Sequence, residues 1–216
     1  MLLLGAASPR NGRITGRVTI LERPGVKTTD ISSAIVYLQP LDARAAEDRG
    51  GVPAEATIAM RGREFLPHVS VIHSGGSVAF PNDDPFSHNV FSNAEPGSFD
   101  LGLYRRGARR VASFPQSGVF PIFCNIHARM VSYVLAVPSS HVATVDAQGQ
   151  FTLEDVPVGA WRLHVWHERA SRMTEEVTVS ATGTSVQLTL DARGYNATAH
   201  LNKFGMPYTS TRSDRY

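Results

Sequence analysis

Cys124, His127 and Met130 stand three residues apart in the segment Phe123-Cys124-Asn125-Ile126-His127-Ala128-Arg129-Met130. A thiolate, an imidazole and a thioether are soft metal donors. A second imidazole, His88, lies upstream in Pro85-Phe86-Ser87-His88-Asn89-Val90. Two His, one Cys and one Met make the set expected of a mononuclear electron-transfer copper site. A trigonal His₂Cys plane suits both copper oxidation states, and a weak axial Met tunes the potential. Zinc fits poorly, because thioether is not among its usual ligands. An iron–sulfur cluster needs several cysteines, and the chain has one. A thiol nucleophile with His127 as its base is the alternative. Phe and Ile around Cys124 do not supply the electropositive, exposed setting that such a thiol needs.

In an extended strand, side chains three apart point to opposite faces, so these donors converge only if the chain turns after Cys124. Apolar strand-like runs at residues 119–124 and 130–137 predict a tight loop between two strands. Alternation or β-branched runs predict further strands at 13–21, 33–38, 151–153, 161–166, 175–179 and 185–190. Residues 69–80 read as two strands joined by a two-residue hairpin turn at Gly75-Gly76. Glycine and proline, 18 and 13 of them, punctuate the gaps, and no window carries a sustained 3.6-residue apolar stripe. The fold class predicted is all-β, with β-sandwich architecture.

The chain has 216 residues, 42% hydrophobic and 19% charged, which is globular composition rather than disorder. A formal charge of +2 gives no reason to expect nucleic acid as a partner. No apolar run approaches the roughly 20 residues of a membrane span. The single cysteine excludes an intramolecular disulfide. Residues 1–8 (MLLLGAAS) resemble the end of a secretory signal without its basic start, so an exported, periplasmic protein is expected. Residues 42–53 read as a polar connection, and 193–216 as an extended, aperiodic tail. Asn196-Ala197-Thr198 fits a glycosylation acceptor pattern, which chance often produces.

The upstream His-Asn, the strand ending in Phe-Cys, the Cys-x-x-His-x-x-Met loop and the closing strand together resemble the cupredoxins, the blue copper proteins related to plastocyanin and amicyanin. The short ligand loop is most similar to that of amicyanin. The likeness covers roughly residues 54–138. It implies a Greek-key β-sandwich holding one type 1 copper ion through His88, Cys124, His127 and Met130. It also implies that Asn89 ties the His88 strand to the loop starting at Cys124. The flanking segments, 12–45 and 139–192, resemble the carboxypeptidase-regulatory or transthyretin-like β-sandwich. The run GQFTLEDVPVGAWRLHVWH carries that likeness, which is structural and implies no peptidase activity. A discontinuous sandwich interrupted by the copper domain is therefore expected. This order is similar to bacterial plastocyanin-like proteins of the methylamine-utilisation type.

The function expected is a one-electron Cu(II)/Cu(I) carrier, a monomer meeting protein redox partners transiently, with His127 as the electron exit. Phe86, Pro121 and Ala128 are expected to surround that exit. Arg105, Arg106, Arg109 and Arg110 cluster around Gly107 as a solvated hairpin tip or as a docking patch for an acidic partner. An enzyme is not expected, since multicopper catalysis needs His-x-His pairs and none is present. A copper-delivery module using the same ligands is the alternative. His141 and His200 have no companions in sequence, His68 and His73 are expected as partly buried or surface groups in the first strands of the copper module, and His164 and His167, on opposite faces of a strand, are expected to be structural or exposed.

Overall fold

Side chains that alternate in burial, or stay buried along a whole run, form strands throughout. The computed structural model describes residues 11–26, 30–41, 51–196 and 200–208. The strands are β1 (Asn11–Leu21), β2 (Ile35–Pro40), β3 (Glu55–Thr57), β4 (Ala59–Arg61), β5 (Glu64–Leu66), β6 (Val69–His73), β7 (Gly76–Pro81), β8 (His88–Ser92) and β9 (Phe99–Tyr104). They continue with β10 (Arg109–Phe114), β11 (Gly118–Cys124), β12 (Val131–Val137), β13 (Val142–Thr144), β14 (Gln150–Pro157), β15 (Gly159–His167), β16 (Ala170–Val179) and β17 (Thr184–Asp191). The protein is all-β, with no helix among the described residues. The expected signal remnant, most of the 42–53 connection, part of the glycosylation pattern and residues 209–216 lie outside the described residues.

The described residues fall into two compact units, one holding residues up to Gly51 and Ser139–Asn196, the other Val52–Pro138 and residues 200–208. In the first, β1 lies between β14, antiparallel, and β17, parallel. A second sheet has the order β13-β2-β15-β16. The three strands of the first sheet alternate, with Ile14, Val18, Phe151, Leu153, Leu188 and Leu190 facing inward, while β2 and β15 of the second carry continuous buried runs. Trp161 is fully buried in the shared core, and its indole N–H donates to the Pro157 carbonyl at 2.8 Å. His164 and His167 are both buried, separated by an irregularity in β15 after Val165. Neither is a surface group.

The second unit pairs a five-stranded sheet, β6-β12-β11-β8-β9, with a three-stranded sheet, β10-β7-β3, and adds the β4–β5 hairpin. Phe65, Ile72, Phe80, Phe114, Phe120, Ile122 and Val134 fill its core. The hairpin expected at Gly75-Gly76 is corrected here. Gly75 does take the positive φ of a tight turn, but β6 pairs with β12 and β7 with β10 and β3, so the turn is a corner between sheets. Ser74 and Gly75 donate to the carbonyls of Val137 and Phe114 instead of closing a ladder with each other's strand. Gly76 must be glycine, because a Cβ there would meet the Ala54 carbonyl oxygen at 2.3 Å.

Candidate metal centre

Strand register places His88 and Cys124 together. Cys124 stands opposite Val90 and Phe123 opposite Phe91. Val90 faces the core, and His88, two residues back, shares that face. The chain then turns, as expected from the spacing. Asn125 N–H donates to the Asn89 carbonyl at 2.9 Å, Met130 N–H to the His127 carbonyl at 3.0 Å, and Cys124 N–H to the Met130 carbonyl at 3.3 Å. This compact loop returns His127 to the side of Cys124.

The result is one cluster. The Cys124 sulfur lies 3.6 Å from His88 Nδ1 and 3.5 Å from His127 Nδ1, and the three donor atoms all fall within 4.8 Å of one another. A point equidistant from three such atoms lies roughly 2.0–2.4 Å from each, the range of first-row metal bonds to imidazole and thiolate. The residues thus fit a single ion. His88 and Cys124 are fully buried and His127 is half-buried. Met130 is buried beside Cys124 in the same apolar cluster, bonded through its backbone to both Cys124 and His127.

Burial pushes the Cys124 thiol pKa up, against the opposing pull of the Asn89, Ile126 and His127 backbone N–H groups. A thiol raised in this way is a poor nucleophile at neutral pH. Bound metal removes the problem, since a coordinating thiol is deprotonated outright. Burial likewise pushes the His88 pKa down, outweighing the neighbouring Asp84 carboxylate. A neutral imidazole is the form a metal requires.

Asp84 was not foreseen. Its Oδ2 lies 2.9 Å from His88 Nε2, and it also accepts the Arg63 N–H at 3.0 Å while Oδ1 accepts the Gly62 N–H at 2.6 Å. Burial raises the Asp84 pKa, but these donors together hold it below the usual carboxylate range. With Nε2–H donating to Asp84, His88 Nδ1 is left bare toward the sulfur, as a ligand must be. The Asp84 loop is braced by Asn82, whose carboxamide accepts Asp84 N–H at 2.9 Å and donates to the Phe86 carbonyl at 2.9 Å. The one signal in sequence was a carboxylate four residues before His88.

Asn89 ties the two ligand segments through its backbone carbonyl, while its side chain donates to Asp100 at 2.5 Å. Phe86 packs against both imidazoles, with ring centroids 5.3 Å from His88 and 5.6 Å from His127. The Arg63 guanidinium lies over the Phe86 ring, 5.0 Å from its centroid. Pro121 is a correction. It alternates with Phe120 and Ile122 on β11 and lies on the outward face, away from the Cys124 side chain and from His127. Arg105, Arg106, Arg109 and Arg110 are exposed around the turn from β9 to β10, which is not the expected hairpin tip, because β9 pairs with β8 and β10 with β7, so the turn crosses between sheets. Arg110 folds back onto the Leu101 and Leu103 carbonyls and over the Tyr104 ring. His200, expected to be without companions, stacks on Phe123 at 4.2 Å.

No protein-family model matches the chain, and no curated protein matches it. Solved structures do. A purple cupredoxin from Nitrosopumilus maritimus is 24% identical over 38% of this chain and 99% of its own, with a TM-score of 0.35. Amicyanin from Paracoccus versutus is 18% identical over 47% of this chain and 97% of its own, with a TM-score of 0.36. A copper-containing nitrite reductase from Thermus scotoductus is 26% identical, with a TM-score of 0.37. This chain spans 46% of its own length in that match and 27% of the reductase.

Proposed function

We propose that the chain is an exported type 1 copper protein that carries one electron at a time between protein partners, with His88, Cys124, His127 and Met130 as ligands. The convergence of one sulfur and two Nδ1 atoms, with spacing for a single ion, carries the reading. Bound copper would supply a Cu(II)/Cu(I) couple and a covalent link to the Cys124 sulfur. The chain's own residues do the rest. Asp84 holds the His88 tautomer, the Asn89–Asn125 bond locks the two ligand segments, and Phe86 excludes water from both rings. A buried, braced donor set changes little between oxidation states, which keeps the reorganisation on electron transfer small. Half-buried His127 would be the contact point for a partner, in an encounter at the small end of interface sizes.

In this reading the chain is not itself an enzyme, and the first unit is a structural sandwich of the carboxypeptidase-regulatory-like kind. A delivery module would need to release metal readily, and the full burial of His88 and Cys124 argues against that. The test is copper stoichiometry together with voltammetry. One copper per chain and a reversible one-electron wave are expected. Copper that binds but cannot be reduced and reoxidised reversibly, or that passes quickly to a chelator, would favour delivery instead.

A further inference from the structure

Residues 200–208 contain no strand, yet they form a closed loop. Asn202 is its hub: its Oδ1 accepts the N–H groups of Phe204 at 2.9 Å and Met206 at 3.1 Å, and its own N–H donates to the Met206 carbonyl at 2.8 Å. Gly205, at φ 74°, returns an N–H to the Asn202 carbonyl at 2.9 Å. Aperiodic sequence has here produced a locally determined structure, because Asx-type bonds replace the missing ladder.

What this loop touches is specific. The Tyr208 hydroxyl donates to the Cys124 carbonyl at 2.7 Å. Lys203 N–H donates to Asn125 Oδ1 at 3.0 Å, and Lys203 Nζ pairs with Asp100 Oδ2 at 2.6 Å. Asp100 in turn holds the Asn89 carboxamide. The His200 ring lies flat on Phe123 and edge-on to Tyr208 at 5.2 Å. Thus Phe123, Cys124 and Asn125 are each engaged by this loop through a ring, a carbonyl and a carboxamide, and Asn89, next to His88, is engaged through Asp100.

We propose that residues 200–208 are a positioning element of the metal centre, with Tyr208 holding the Cys124 backbone so that its sulfur points at the two imidazoles. The proposal rests on the copper reading for its functional meaning, but the physical claim concerns the set of the Cys124 loop. With the Cys124 carbonyl free, the loop would gain rotational freedom about the residue that carries the thiolate. Outer partners of this kind are what orient ligands in metal sites generally.

The experiment uses the full chain with Tyr208→Phe, which keeps the ring against His200 and removes only the hydroxyl, and with Asn202→Ala, which opens the loop at its hub away from the donors. Copper affinity is measured by competition with a Cu(I) chelator. Alkylation of the metal-free protein by iodoacetamide is measured beside it, and the single cysteine makes that readout unambiguous. Each variant should weaken copper binding about tenfold or more, as lost outer partners do. Alkylation of Cys124 should quicken about fivefold, the share of one hydrogen bond of ordinary net strength, through local opening of the loop, while the urea midpoint falls by no more than that one bond accounts for. Unchanged copper affinity in a protein that binds copper overturns the proposal, and so does alkylation that merely follows global unfolding. If the wild-type chain binds no copper, the functional reading has failed, and the alkylation rates alone decide whether the loop positions Cys124.

Discussion

Asp84→Asn is the most informative single change. In the native site Oδ1 accepts the Gly62 N–H, while Oδ2 accepts both the Arg63 N–H and the His88 Nε2–H. A carboxamide has one acceptor oxygen, so it can serve one side and must turn an NH₂ toward donors on the other. At least one charge-assisted bond disappears and a buried donor is left facing another. Bonds to charged groups contribute about 1.5–3 kcal/mol each, so the metal-free protein should lose about 2–4 kcal/mol in urea unfolding. The effect on metal is separate. His88 loses the partner that keeps its proton on Nε2, and copper affinity should fall by about 10- to 100-fold. Urea titration of the metal-free protein reads the first quantity, and chelator competition the second. A variant that is destabilised yet binds copper with native affinity would refute the claim that Asp84 acts through His88. A variant unchanged in both would refute the hydrogen-bond network itself.

Further expectations concern the axial donor, acid stability and the sandwich corner. Met130→Leu should keep copper bound, because the two side chains have similar volume and the axial thioether is weak, and should raise the potential in voltammetry; an unchanged potential would reduce Met130 to a packing residue. In the first unit burial lowers the His164 pKa to about 4 from its ordinary 6.5, with a neutral ring that donates to Gln39 and accepts from Thr174. The unfolded ring takes its proton first, so this contribution to stability is complete above pH 6.5 and is lost as pH falls toward 4. Denaturation of His164→Gln across that window should show a shallower pH slope, with part of the remainder carried by His167, His88 and His200, whose pKa values burial also lowers. Gly76→Ala should cost about 1–3 kcal/mol in the unit that carries Cys124, since the new methyl meets backbone oxygens of Ala54 and His73; native stability in calorimetry would contradict that.

The donor set was legible because its information is chemical and local. One cysteine, with His127 at a fixed short spacing, His88 upstream and strand signals on both sides, leaves few structures that satisfy all of them, and the cluster of His88, Cys124 and His127 is one of these. Strand existence was legible from alternation, as in Ile14 and Val18 of β1 or Phe151 and Leu153 of β14. Pairing partners were less so. Gly75-Gly76 carries the turn chemistry of a hairpin, but turn chemistry does not say whether the next strand joins the same sheet, and here the carbonyls of Phe114 and Val137 take the decisive bonds. Asp84 escaped notice because its role depends on which ring nitrogen of His88 faces the sulfur, a matter of rotamer and not of spacing. Residues 200–208 escaped because Asn202, Lys203 and Tyr208 act through single bonds to distant backbone, and no periodicity marks such contacts.

The central claim is that Cys124 holds copper together with two histidines. The most direct measurement is the visible absorption and electron paramagnetic resonance of the Cu(II)-loaded chain beside Cys124→Ala. The native chain should show an intense thiolate-to-copper band, and the variant should lose it completely. A native protein without that band, or a variant that retains it, would contradict the account.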